Sequence, residues 1–127
     1  MAKLVGSLDL RRRPLVRVEV GEDGLLAVID TGLNGDLMIT ELSTRSLKFN
    51  FGRDSSTVEL GDGTVTKVYE TVGQLPWLGV NRRIRVLISQ NWHTQPNEPS
   101  ALIGCGLLAP HLLLEDFGQS TVEIQTQ

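Results

Sequence analysis

The chain has 127 residues, enough for one domain spanning 1–127 that buries a real core without disulfide staples. Apolar residues make up 40% and charged residues 21%, a globular balance, and a net charge of -3 argues against a nucleic-acid binder, which carries a basic surplus. The single cysteine excludes an intrachain disulfide and suits a reducing compartment.

The N-terminus, Met1-Ala2-Lys3-Leu4-Val5-Gly6, lacks a long apolar core and a cleavage pattern, so no signal peptide is expected. The most apolar stretch, Ala101 to Leu114, is broken by Gly104, Gly106, Pro110 and His111 and is too interrupted to span a bilayer. The expectation is a free-standing cytoplasmic protein with no membrane partner.

Val16, Val18 and Val20 alternate with Arg17 and Glu19, the period of a half-buried strand. Glu22-Asp23-Gly24 reads as a hairpin turn, and the continuous run Leu25 to Ile29 as a strand buried on both faces. Asn34-Gly35 is a second turn signal, followed by a short strand at Leu37-Met38-Ile39. Ser43 to Leu47 is read as a single helical turn. Val58 and Leu60 before Gly61-Asp62-Gly63, with Val65 and Val68 after it, give the clearest hairpin pattern. Val72 to Leu78 and Ile84 to Ile88 read as strands separated by Gly79-Val80-Asn81. Asn91 to Ser100, with Pro96 and Pro99, reads as a surface loop. Leu107 to Ala109 reads as a short helix stopped by Pro110, and strands at Leu112 to Leu114 and around Val122 and Ile124 close the chain. The expected architecture is all-β, a closed or nearly closed barrel with one short helix.

The residues that carry chemistry lie at the end of the run Leu25 to Ile29, where Asp30-Thr31-Gly32 begins. A carboxylate at the end of a buried strand is costly unless it is paired or hydrogen-bonded. Asp and Gly are also common turn formers, so the tripeptide alone is equally a strand-ending turn. A second apolar run stopped by glycine, Ala101-Leu102-Ile103-Gly104, matches it later in the chain.

Together these segments resemble the retropepsin-like aspartic proteases, the retroviral type and its bacterial relatives. The resemblance covers most of the chain, from about Val16 to Ile124. Its parts stand in the family's order: Leu26 to Gly32, the hairpin around Gly61-Asp62-Gly63, then Leu102-Ile103-Gly104 and Leu107-Leu108. Asp30-Thr31-Gly32-Leu33-Asn34-Gly35 is especially similar to the bacterial relatives, and Phe117-Gly118 through Val122-Glu123-Ile124 resembles their closing strands.

The resemblance implies an aspartic endopeptidase in an acid-protease fold of barrel-like form. Such chemistry needs two carboxylates, one taking a proton from water while the other donates to the carbonyl oxygen; two such groups about 3 Å apart share one proton. The chain has one Asp-Thr-Gly, and Asp54-Ser55-Ser56 lacks the glycine. The second Asp must then come from another copy, and a two-fold homodimer places both Asp30 residues on its axis. In this reading Thr31 bonds across the axis, and the Gly32 amide donates to the carboxylate. Leu33 and Asn34 line the substrate cleft, and Gly61, Asp62 and Gly63 form the tip of a flap that closes over a peptide or protein substrate.

Two departures stand out. The viral enzymes carry an Asp–Arg ion pair at the positions of Asn34 and Cys105, so here both charges are absent together. Leu33 replaces a small residue and is expected to narrow the cleft. No cofactor is expected, nor a metal, since two histidines lack matching ligand spacing. Cys105 between two glycines reads as a small buried filler instead of a nucleophile paired with His93 or His111. Arg11-Arg12-Arg13 reads as a solvated hairpin turn, with an anionic partner the lesser alternative; Arg82, Arg83 and Arg85 read likewise. Trp77 is expected in the core. The competing functional reading is a non-catalytic dimeric binding or scaffold module on the same fold, and a weaker one is a domain released from a longer precursor.

Overall fold

The computed structural model describes residues 2–20, 23–44 and 55–126. Among these residues ten strands form one sheet: β1 (Lys3–Leu8), β2 (Pro14–Val20), β3 (Asp23–Ile29), β4 (Leu37–Thr40), β5 (Ser55–Glu59), β6 (Val65–Trp77), β7 (Val80–Ser89), β8 (Ala101–Ile103), β9 (Leu112–Asp116) and β10 (Thr121–Gln125). The spatial order is β5-β6-β7-β4-β8-β3-β2-β1-β10-β9. A helix of one turn, α1 (Cys105–Leu108), follows β8. The helical turn expected at 43–47 extends into residues outside those described.

The sheet is open, which corrects the expected closed barrel. Its edges are β5 and β9, and no ladder joins them. The physical reason lies in the edges themselves: among the described residues β5 pairs only with β6, as one arm of a hairpin, and β9 ends in Glu115 and Asp116, charges that disfavour a further strand. The sheet instead folds over its core. Val16, Ala27, Leu37, Ile39, Val86, Ile88, Ile103, Leu107, Val122 and Ile124 are among the residues buried there. Each of the buried Val, Leu and Ile side chains contributes on the order of 1.5–3 kcal/mol by leaving water.

Val16 and Val18 are buried while Arg17 and Glu19 are exposed, as a period of two requires. In β3 the run Leu25 to Ile29 is not buried on both faces, contrary to expectation. Leu25, Ala27 and Ile29 are buried, whereas Leu26 and Val28 are half-buried. The face carrying Val28 borders a cleft, so the surplus apolarity lines a cavity instead of a second packed layer. Asp23 and Gly24, expected in a turn, pair with Val20 and Glu19 in the β2–β3 ladder, and residues 21 and 22 lie outside those described.

β6 is one 13-residue strand, where the sequence suggested two. Its first part pairs with β5, and from Val68 to Trp77 it pairs with β7, so the ladder carries polar residues such as Glu70 and Gln74 through. The turn to β7 is Leu78-Gly79, both at positive φ (50° and 82°), and Val80 and Asn81 belong to β7. Such a two-residue turn matches the strand twist. Trp77 is buried, donates from Nε1 to the Leu107 carbonyl at 3.1 Å, and meets the His111 ring edge-on at 6.4 Å. Helix α1 begins two residues before the expected helix and ends at Leu108, and Leu107 and Leu108 bury against the sheet. Among the described residues no helix is long and apolar enough to cross a membrane.

Candidate active site

Four adjacent strands set the site. β3 pairs parallel with β8, β8 pairs antiparallel with β4, and β4 pairs parallel with β7. The loop from β3 to β4 therefore crosses the turn from β8 into α1, and the two are tied by main chain. Asp30 N donates to Ile103 O (2.8 Å), Gly104 N to Asp36 O (3.0 Å), Cys105 N to Leu33 O (2.8 Å) and Gly106 N to Gly35 O (3.1 Å). Gly104 is required by this crossing: a Cβ there would lie 2.7 Å from the Leu33 carbonyl oxygen and would collide with that of Gly35.

Asp30 is half-buried at the end of β3, and its Oδ1 accepts a hydrogen bond from Gly32 N at 2.9 Å. The bond fixes the orientation of a carboxylate drawn partly out of water. Thr31, Gly32 and Asn34 are exposed in the single chain. Leu33 turns the other way. It is 1% exposed and packs with Met38, Val68 and Leu87 in a second apolar cluster. Cys105, at the start of α1, donates from Sγ to the Thr31 carbonyl at 2.9 Å. A neutral S–H···O contact thus links α1 to the Asp30 loop. Asp36, two residues beyond Asn34, accepts from Arg85 N at 3.0 Å through Oδ2 and adds a charged anchor to the same loop.

The β5–β6 hairpin covers this floor. Its tip closes through Leu60 N to Thr64 O (2.8 Å) and Gly63 N to Leu60 O (2.9 Å). Asp62 Oδ1 accepts from Thr64 N (2.9 Å) and Thr64 Oγ1 (2.6 Å). The Thr64 hydroxyl and amide hold the Asp62 carboxyl below the usual carboxylate range. Gly61 lies directly on the Asp30 loop: a Cβ built on it would stand 2.5 Å from Asp30 Oδ1. Leu60 is half-buried against the cluster that holds Leu33, beside Trp92 and Leu102.

Between floor and hairpin runs a cleft of about 1080 Å³ bordered by Val28, Asp30, Met38, Leu60, Trp92 and Leu102. The structure brings Asp30, Thr31, Gly61 and Asp62 to this cleft; Gly32, Leu33, Asn34 and Gly63 border a smaller adjoining one of about 680 Å³. Sequence reasoning passed over Trp92, placed in a polar surface loop. Its signal was a tryptophan among Asn and Pro, a side chain seldom left wholly to solvent. It also passed over the 9–13 loop as a wall of the cleft. No group of three or more His, Cys, Asp and Glu suited to a metal occurs among the described residues.

An all-β chain with an Asp-Thr-Gly loop braced by an Ile-Gly turn and faced by a hairpin has the architecture of a retropepsin-like aspartic protease. A solved structure of a retropepsin-like aspartic protease from Rickettsia conorii superposes with a TM-score of 0.64 at 13% sequence identity, covering 97% of this chain and 98% of that one. No protein-family model and no curated protein matches the sequence.

Proposed function

We propose that the protein is an aspartic endopeptidase, acting as a cytoplasmic homodimer on peptide or protein chains. The observation that carries this reading is the position of Asp30. Its carboxylate is fixed by the Gly32 amide at the floor of a cleft, under a hairpin tip, in a fold shared with a retropepsin-like aspartic protease. A second copy brings a second Asp30 against the first. One carboxylate, ionised, takes a proton from a water held between them; the other, protonated, donates to the substrate carbonyl oxygen as the water attacks. The exposure of Thr31, Gly32 and Asn34 in the single chain supports the dimer, because that edge is the one a two-fold partner would cover. The hairpin 60–64 then serves as the flap, lifting from Asp30 to admit a peptide and closing to exclude water.

The test is cleavage of a diverse peptide library from acidic to neutral pH by the wild type and by Asp30→Asn. Wild-type cleavage is expected, with a loss of at least about a thousandfold in the variant. Equal cleavage by both would place the activity elsewhere. Cleavage by neither would favour the binding module on the same fold.

A further inference from the structure

The loop joining β1 to β2 borders the same cleft as Asp30, and it is built around a carboxylate. Asp9 Oδ1 accepts from Arg11 N (2.9 Å) and Arg13 N (2.8 Å), and Asp9 Oδ2 from Arg13 Nε (2.7 Å). The main chain adds Arg12 N to Asp9 O (2.9 Å) and Asp9 N to Arg13 O (3.0 Å). These bonds hold Arg12 in the left-handed region, with φ of 62°, which a non-glycine residue occupies only under such restraint. Arg13 is consumed by its ion pair with Asp9. Arg11 and Arg12 are exposed and have no ion pair among the described residues.

Each of the other acids at the cleft accepts a hydrogen bond from its own turn, Asp30 from Gly32 N. Asp62 is bonded to Thr64, and Glu98 Oε2 accepts from Gln95 N at 3.4 Å. Two exposed guanidiniums thus stand at the wall of a cleft of peptide-binding size with no ion-pair partner among the described residues. A guanidinium offers a planar fork of donors that matches a carboxylate.

We propose that Arg11 and Arg12 select peptides carrying an acidic side chain, Asp or Glu, close to the bond that is cut. The inference rests on the peptidase reading for its cleavage readout, and direct binding provides one that does not.

The experiment takes a peptide that the wild type cuts and places Glu, Gln or Lys at each position around the scissile bond in turn. The expected result is a threefold to tenfold preference, roughly, for Glu over Gln at one or more positions, carried by KM and eroded by salt, as suits exposed ion pairs. In a double variant, Arg11→Gln with Arg12→Asn, the ratio falls to about one; Asn tolerates the left-handed backbone, and circular dichroism checks the fold. Arg11→Glu shifts the preference toward Lys, which loss of loop structure alone would not do. Equal cleavage of the Glu and Gln peptides at every position overturns the proposal, as does a preference that survives the double variant. If no peptide is cut, the peptidase reading fails. Fluorescence binding of labelled Glu and Gln peptides to the folded protein then decides: tighter Glu binding, lost in the double variant, supports it, and equal or no binding overturns it.

Discussion

The floor and the roof of the cleft are built in opposite ways. The floor, residues 30–36, is stitched by backbone hydrogen bonds to the turn after β8, and Leu33 beneath it is sealed in an apolar cluster. The roof, residues 60–64, closes on itself through Asp62 and Thr64, and Leu60 alone from the tip reaches the shared cluster. A residue on the floor moves only if the central strands move. The roof tip meets the floor through half-buried Leu60 and through Gly61, whose backbone stands against Gly32 and Asp30, and the proposed flap would give up these contacts to lift. An enzyme that must hold a carboxylate still while admitting a chain needs this asymmetry.

The comparison breaks most visibly at the two leucines. Leu33→Ala removes a side chain that is 1% exposed and leaves a cavity under Asp30, a loss of about 2–5 kcal/mol. Leu60→Ala removes a half-buried one at the roof and costs about 1 kcal/mol. Urea denaturation of the two variants reads the difference; equal losses would mean that floor and roof unfold as one unit.

The glycines sharpen it. Gly104→Ala forces a Cβ into the carbonyls of Leu33 and Gly35, neither of which can yield without disturbing the strands, so a loss of about 1–3 kcal/mol is expected. Gly61→Ala meets the Asp30 carboxylate from the movable side. The hairpin lifts, stability changes by less than about 0.5 kcal/mol, and limited proteolysis at residues 60–64 speeds up. Thermal melts of Gly61→Ala that fall as far as those of Gly104→Ala would contradict a movable roof.

The smallest effect concerns the wall at Asp9. Slight burial opposes its charge, but the Arg13 amide and guanidinium and the Arg11 amide outweigh this and lower its pKa from 3.8. A carboxylate whose pKa is depressed on folding stabilises the protein fully above its unfolded value and loses that contribution as pH falls through the folded one. Asp9→Asn should therefore melt below the wild type near neutral pH, and the gap should close as pH falls below 3.8. A gap that stays constant into strong acid would show that the loop does not depend on the Asp9 charge.

Much of this was legible in the sequence where local signals and tertiary demands agree. The alternation at Val16 and Val18, the Gly61-Asp62-Gly63 tip and the run into Asp30 each specify their structure over a few residues. The readings that failed are those that distant partners decide. Leu26 and Val28 are as apolar as their neighbours yet only half-buried, and Val28 lines the cleft that the hairpin residues Leu60 and Gly61 also border. The β6 strand continues past Glu70 because β7 supplies an uninterrupted ladder, which no local propensity announces. At the site, Asp30 was evident from its strand and its glycine. The Cys105 thiol bonded to the Thr31 carbonyl was not, because it depends on two loops crossing in space. The Arg11–Arg13 segment read as a solvated turn, and its exposure fits that; its place beside Asp30 is a consequence of sheet order.

The claim on which the account depends is that one site takes an Asp30 from each of two chains. The most direct measurement mixes wild type with Asp30→Asn at fixed total concentration, allows subunits to exchange, and follows peptide cleavage against the mixing ratio. A shared site predicts activity falling with the square of the wild-type fraction, to about a quarter at an equal mixture, because every mixed dimer is dead. A linear fall, to about half, would mean that each chain works alone and would contradict the account.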